Sequence, residues 1–357
     1  MHLEDGSPID ETDLLNPVWL TSALRFAGHD VTIRDVCRQR IGTGQMGVSY
    51  RLRLEFDGDP GGFPTSIVAK LPSPDREMRP LVSGAYRLEV NFYNEIAATV
   101  AVHTPGCHLA LISDDATSFV LLLEDLDPAV QGDQLTGCGV DQAEDAVVNL
   151  AGLHGPRWCD PTLSNVPWLP HIDEENAQFL GAMMVPATAT FVERYGDDLT
   201  EHHREVLFTV AEAIPAWAMA RSERFAVLHG DYRLDNLLFP PDGSRGVVAV
   251  DWQTLALGLP ARDLAYFLAT SLQPDDRRLH EEHLVAAYHG ALLAYGVEDY
   301  SLDECFDDYR FSTLHGPLIT VLGAAYSTRT DRGDQMFLAM THRSCDAITS
   351  LGTFDLL

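Results

Sequence analysis

The chain has 357 residues, 53 acidic side chains against 24 basic ones, and a formal net charge of −29. That balance excludes a nucleic-acid coat or a polybasic membrane anchor, since both need clustered positive charge. With 46% hydrophobic residues the chain can build a sizeable core, and its length suits two domains or two lobes sharing a cleft. Among its cations Lys70 is the only lysine, and the remainder are arginines. The start Met1-His2-Leu3-Glu4-Asp5 has no basic or apolar leader, and no apolar run approaches the roughly 20 residues of a spanning helix. A cytoplasmic protein acting away from membranes is therefore expected. Cys37, Cys107, Cys138, Cys159, Cys305 and Cys345 form no Cys-x-x-Cys pair, which predicts reduced thiols instead of a zinc or disulfide framework.

In chain order, residues 17–28 predict a short amphipathic helix ending at Gly28. Strands follow at Val31 to Arg40, at Ser49 to Phe56 with period two, and at Ser66 to Leu71, the last two joined through the turn Asp57–Gly62. Tyr86 to Val100 predicts a helix, and Phe119 to Leu123 a buried strand running into Glu124-Asp125-Leu126. Beyond Asp127 helix-period stripes dominate, at 141–154, 176–195, 200–221, 263–271, 277–295 and 331–351. Two short apolar runs interrupt them, at 225–228 and 246–250, and each ends at a polar cluster. The expected fold is α+β and bilobal: a small lobe (1–126) of antiparallel sheet plus helix, and a larger, mainly helical lobe (127–357).

Gly42-Thr43-Gly44-Gln45-Met46-Gly47 spells G-x-G-x-x-G. A dinucleotide fold uses the same spelling, but there the glycines open a helix, whereas Gly47 runs into an alternating strand. A glycine hairpin over nucleotide phosphates fits better. Lys70 closes the next strand, at the place where an ammonium can grip α- and β-phosphates. In a chain that otherwise uses arginine, a compact point charge is retained at that position. Glu89, on the following helix, can pair with that ammonium, and Glu95 competes for the role.

The densest cluster is Val227-Leu228-His229-Gly230-Asp231-Tyr232-Arg233-Leu234-Asp235-Asn236, followed after an apolar strand by Asp251. Phosphoryl transfer needs these types: Asp231 to take the acceptor hydroxyl's proton, and Asn236 and Asp251 as oxygen ligands for Mg²⁺. Arg233 is a candidate to neutralise the transferring phosphoryl. His229 is expected to be a structural residue bonded to backbone. Three such ligands beside apolar strands are hard to explain as packing, because buried carboxylates without partners are costly.

Gly42–Gly47, Lys70, Glu89–Tyr93, Leu121–Leu126, His229 to Asn236 and Val250-Asp251-Trp252-Gln253 resemble the aminoglycoside phosphotransferase and choline kinase superfamily, in its ecdysteroid-kinase-like (CHK kinase-like) branch. Arg262-Asp263-Leu264-Ala265 extends the likeness. The resemblance implies a protein-kinase-like fold and ATP- and Mg²⁺-dependent phosphorylation of a small-molecule hydroxyl, with nucleotide held by Gly42, Gly44, Gly47, Lys70 and Glu89. Adenine would bond to backbone near Glu124 and Leu126. Protein kinases fit less well, since His-Gly-Asp stands for His-Arg-Asp and Trp-Gln follows Asp251. A nucleotide-binding module without turnover is the alternative. The acidic groups 173–175, 281–282, 303–304 and 307–308 are expected to be solvated helix faces, with a carboxylate-lined acceptor cleft as the rival reading. Trp158, Trp168, Trp217 and Tyr195 are expected to be core, Gln131–Gln134 is a candidate acceptor contact, and the acceptor and oligomeric state stay open.

Overall fold

The structure is a computed structural model that describes residues 15–357 except Thr43 and Gln45, so those two positions of the glycine motif lie outside it. The described residues form two units. The first takes in the described part of Met1–Ala98 with Thr104–Asp127 and Asp251–Thr254; the second is Thr99–His103, Pro128–Val250 and Leu255–Leu357.

In the first unit, the Asn16 side chain accepts from Trp19 N at 3.0 Å and Pro17 sets the opening turn of α1 (Pro17–Phe26). Five strands follow: β1 (Ile33–Ile41), β2 (Gly47–Phe56), β3 (Ser66–Pro72), β4 (Cys107–Ile112) and β5 (Phe119–Glu124). They form one antiparallel sheet in the order β1-β2-β3-β5-β4. Period two decides which side is dry. Leu52, Leu54, Ile67, Ala69 and Leu71 pack with Trp19, Leu20 and Leu24 of α1, which leaves Lys70 on the opposite face. On that face Tyr86 of α2 (Arg79–Asn91) lies against Phe119, ring centroids 4.6 Å apart. The helix expected from Tyr86 thus begins at Arg79. It does not run on to Val100 either, but widens into a π turn over Phe92–Ile96, where Phe92 stacks on Trp252 at 3.8 Å and 9°.

The second unit is helical, with two small sheets carrying its loops. β6 (Val130–Gln131), β8 (Leu237–Phe239) and β9 (Val248–Ala249) form one; β7 (Ala226–Leu228) pairs with β10 (Ala256–Gly258) in the other. The helices are α3 (Val140–His154), α4 (Glu174–Tyr195), α5 (Glu201–Met219), α6 (Ala261–Ser271), α7 (Pro274–Ala294), α8 (Leu302–Ser312), α9 (His315–Tyr326) and α10 (Asp331–Leu351). Polar caps set several starts: Asp173 for α4, Thr200 for α5, and a Ser301–Glu304 capping box for α8. α10 stops at Gly352, whose φ of +62° suits a glycine C-cap. The architecture is the antiparallel sheet plus helix, then a mainly helical part, that the sequence predicts. β4, α8 and α9 were not among the expected elements.

Candidate active site

The first unit carries the residues expected from the sequence to meet phosphate. Gly42 has a φ of +69°, a region that favours glycine. At Gly47 a Cβ would sit 2.7 Å from Leu71 O, so β2 can lie this close to β3 only without a side chain. A Cβ at Gly44 would meet only Gly47 O, at 3.5 Å. The Tyr86 hydroxyl ties the turn to α2 by donating to Met46 O at 2.5 Å.

Lys70 Nζ donates to Glu89 Oε1 at 2.7 Å and to Asp251 Oδ1 at 3.0 Å. Glu89 is 1% exposed, and its other oxygen accepts from Gln253 Nε2 at 3.0 Å. Burial alone would push the Lys70 pKa down; Asp251 and Glu89 outweigh it and hold the ammonium charged. Burial pushes Glu89 up, and Lys70 offsets part of that. Glu95 lies exposed on the π turn, so Glu89 is the partner. Asp251 has a φ of +69°, a left-handed conformation uncommon outside glycine. Such strain survives only where neighbours over-determine it, and here Trp252, stacked on Phe92 and bonded to Thr104 Oγ1 at 3.0 Å, fixes the next residue.

Glu124 ends β5, exchanging bonds with Gly106 through its backbone N–H at 2.7 Å and its carboxylate at 3.0 Å. Asp125 accepts from Ser66 Oγ at 2.5 Å and lies 2.8 Å from Arg51 Nε, which fixes the backbone leading to the half-buried Leu126.

The second unit carries the His229–Asn236 loop, the expected catalytic segment. Asp231 is met by three donors: Arg233 Nε at 3.0 Å from both oxygens, Tyr266 OH at 2.7 Å, and Asn236 Nδ2 at 2.9 Å. Tyr266 is buried, and burial together with the Asp231 charge raises its pKa well above the ordinary value, so it remains a donor. Arg233 is held charged against burial by Asp231 and Asp235. Asp235 in turn accepts from Arg233 Nη1 at 2.9 Å and from both Nη atoms of Arg332, at 2.8 and 2.9 Å. Asn236 spends its amino group on Asp231, which leaves its carbonyl end as the ligand-type oxygen. Its backbone O accepts from Val250 N at 3.0 Å, one residue before Asp251.

Asp263 of α6 holds the loop from below the surface. It is fully buried and accepts from His229 N at 2.6 Å and Gly230 N at 3.0 Å, with His154 Nε2 at 3.3 Å. Burial pushes its pKa up, yet bonding to His154 and the charges of His154, His229 and His315 bring it below the usual carboxylate range. His229 Nε2 pairs with Val250 O at 3.1 Å, a backbone bond as expected. Gln134, a candidate acceptor contact, is instead buried and braces the loop: its N–H reaches Asp235 at 3.1 Å and its Oε1 accepts from Leu234 N at 2.9 Å. The Gln131 side chain bonds Asp235 O.

Tyr266, Arg332 and Asp263 have no assigned role in the sequence reading. For Asp263 there was a signal, a lone carboxylate at the start of an apolar helix; Tyr266 and Arg332 carry none, since only tertiary packing brings them to the loop. The acidic groups divide. Asp308 and Glu281 are buried, the first on Arg221 at 2.6 Å and Arg224 at 2.7 Å, the second on Arg277 and Tyr309, which corrects the reading of those two as solvated. Trp217 and Tyr195 are core, as expected.

The model of the ecdysteroid kinase-like family matches residues 42–296, and the chain belongs to that family. Among solved structures, a candidate aminoglycoside phosphotransferase from Ralstonia eutropha JMP134 is 15% identical, with a TM-score of 0.51 over 95% of this chain and 98% of that one. The GDP complex of wild-type aminoglycoside 2'-phosphotransferase-IIIa is 17% identical, with a TM-score of 0.51 over 92% and 98%. At such identities the shared property is the fold. Acyl-CoA dehydrogenase family member 10 of Mus musculus is 42% identical over 48 residues, and member 11 of Homo sapiens 44% over 41. The matched stretches are 13% and 12% of this chain and 4% and 5% of those proteins.

Proposed function

We propose that the chain transfers the γ-phosphoryl group of Mg-ATP to a hydroxyl of a small-molecule acceptor. The observation that carries this reading is Asp231, a carboxylate aimed by Arg233, Asn236 and Tyr266 on a loop anchored to buried Asp263. In this reading Asp231 accepts the proton of the attacking hydroxyl, and Lys70, oriented by Glu89, grips the nucleotide phosphates. Glycines 42, 44 and 47 cover the phosphates, and backbone near Glu124 and Leu126 takes the base. Arg233 neutralises charge on the transferring group once it is released from Asp231.

Among the described residues, no group of three or more His, Cys, Asp or Glu side chains is placed to hold a metal ion. Magnesium fits that sparseness, because it keeps water and phosphate oxygens and needs only one or two protein ligands. Asp251 and Asn236 would supply them, and the ion would neutralise phosphate charge.

A nucleotide-binding module without turnover is the second reading; Arg233 favours it by lying on both Asp231 oxygens. An ADP-release assay with Mg-ATP over aminoglycosides, choline-like amines, sugars and steroid-like alcohols separates the two. An acceptor is expected to raise turnover, and Asp231→Asn to lower it by about 10²–10⁴. Equal ADP release by the two chains with every acceptor would sink the kinase reading.

A further inference from the structure

Within the second unit, a cavity of about 320 Å³ lies against β10 and the start of α6. Its described wall carries Arg221, Arg224 and Arg262 and no carboxylate, in a chain with 53 acidic side chains. The rest of the wall is partly apolar, with Ile172, Phe225 and Leu257. Arg221 and Arg224 have their counter-charges: buried Asp308 lies at 2.6 and 2.7 Å, with Asp307 and Glu223 on the solvent side at 2.9 and 3.3 Å.

Arg262 is different. It is 9% exposed, and no carboxylate pairs with it among the described residues. Its Nη2 donates to Ala218 O at 2.9 Å and Trp217 O at 3.3 Å, at the C-terminal end of α5, and its guanidinium lies 4.3 Å from the Trp217 ring centre. Carbonyls and the ring face offset part of a buried positive charge. They leave Nε buried without a hydrogen-bond partner. Burial accordingly pulls the Arg262 pKa down to about 10, with nothing acting against it. An uncompensated buried cation is costly, and an arriving anion relieves that cost.

We propose that this cavity binds a small amphipathic anion, a carboxylate or phosphate monoester on an apolar body, with the charged head on Arg262. The cavity wall adjoins the His229–Asn236 loop. Leu257 and Gly258 pair with Val227 and Ala226 on the strand entering that loop, and Asp263, next to Arg262, holds the His229 and Gly230 N–H groups.

The test is calorimetric titration of the intact chain, without nucleotide, using octanoate, hexyl phosphate and neutral octan-1-ol. At least one anion is expected to bind saturably, one per chain, and the alcohol at least about tenfold more weakly. Which anion binds tells carboxylate from phosphate. Arg262→Gln should weaken binding by at least about tenfold. Ala220→Glu, on the half-buried wall, should do the same while raising Tm, because its carboxylate stands in for the ligand. Absence of saturable anion binding by the parent chain overturns the proposal. So does binding that survives Ala220→Glu, since the anion then sits elsewhere. No turnover is read, so failure here leaves the phosphotransfer reading standing, and the reverse holds as well.

Discussion

Lys70 stands between two carboxylates, one of them almost wholly buried, so both its charge and its position are set by the protein itself. A guanidinium carries the same charge on a wider, planar head, whose donors are spread out where the ammonium presents one compact centre. Lys70→Arg should therefore lower kcat/KM about 100-fold with little change in Tm, checked by steady-state kinetics beside a thermal melt. An unchanged rate would remove the special role of the ammonium. Tyr266 acts through Asp231 and is a positioning residue: its hydroxyl is one of three donors that fix the carboxylate. Tyr266→Phe should lower kcat about three- to tenfold and leave KM for ATP unchanged. A fall in kcat matched by a rise in KM would show that the ring shapes the nucleotide site instead.

At the scale of elements, the His229–Asn236 loop is held from behind by α6 through Asp263 and approached by α9 through His315, whose Nε2 lies 3.4 Å from Gly230 O. His315 is buried, its Nδ1 has no hydrogen-bond partner, and burial pushes its pKa down to about 4. The unfolded chain, with histidine near 6.5, takes up that proton first as pH falls, so stability is lost between about pH 6.5 and about pH 4. From pH 7.5 to pH 5 the loss assignable to His315 is about 2 kcal/mol, and His315→Gln should remove it in paired denaturant titrations. Asp263 behaves oppositely in window: its lowered pKa keeps its contribution intact until pH falls below about 3.9. His108 and His203, also lowered by burial, titrate in the same window, so the His315 share is the difference between the parent and His315→Gln curves.

The elements also show why some of the fold was legible in sequence. β2, β3 and β5 alternate or run apolar between turns, and α10 carries a clear stripe, so pattern alone locates them. α9 is apolar nearly all round, with Gly316, Pro317 and Gly323 in it, and has no stripe to read. α8 reads as an acidic run because nothing local says that Asp308 turns inward to meet Arg221 and Arg224 from far along the chain. The same holds for the site. Lys70 falls at a readable strand and Asp231, Asn236 and Asp251 fall where apolar runs end, whereas Tyr266 and Arg332 reach the loop only through tertiary packing.

For the molecule as a whole, the charge of −29 is an intramolecular liability more than a pointer to partners. Several carboxylates are consumed by arginines, but the excess remains and its self-repulsion disfavours the compact state. Raising NaCl from about 20 mM to about 500 mM should screen that repulsion and raise Tm by a few degrees, as a scanning melt would show. A falling Tm would mean that surface ion pairs outweigh the repulsion.

The solitary lysine has a further use, in proteolysis and chemical labelling. A lysine-specific endoproteinase has a single target bond in this sequence, after Lys70, in the interior of β3 with strands on either side. Cleavage there requires that strand to leave the sheet, so the rate of one clean cut reports the opening of that sheet without any engineered probe. Amine-selective acylation reads the same event when the label is located at Lys70, because the ε-amine reacts only after it has left Glu89 and Asp251.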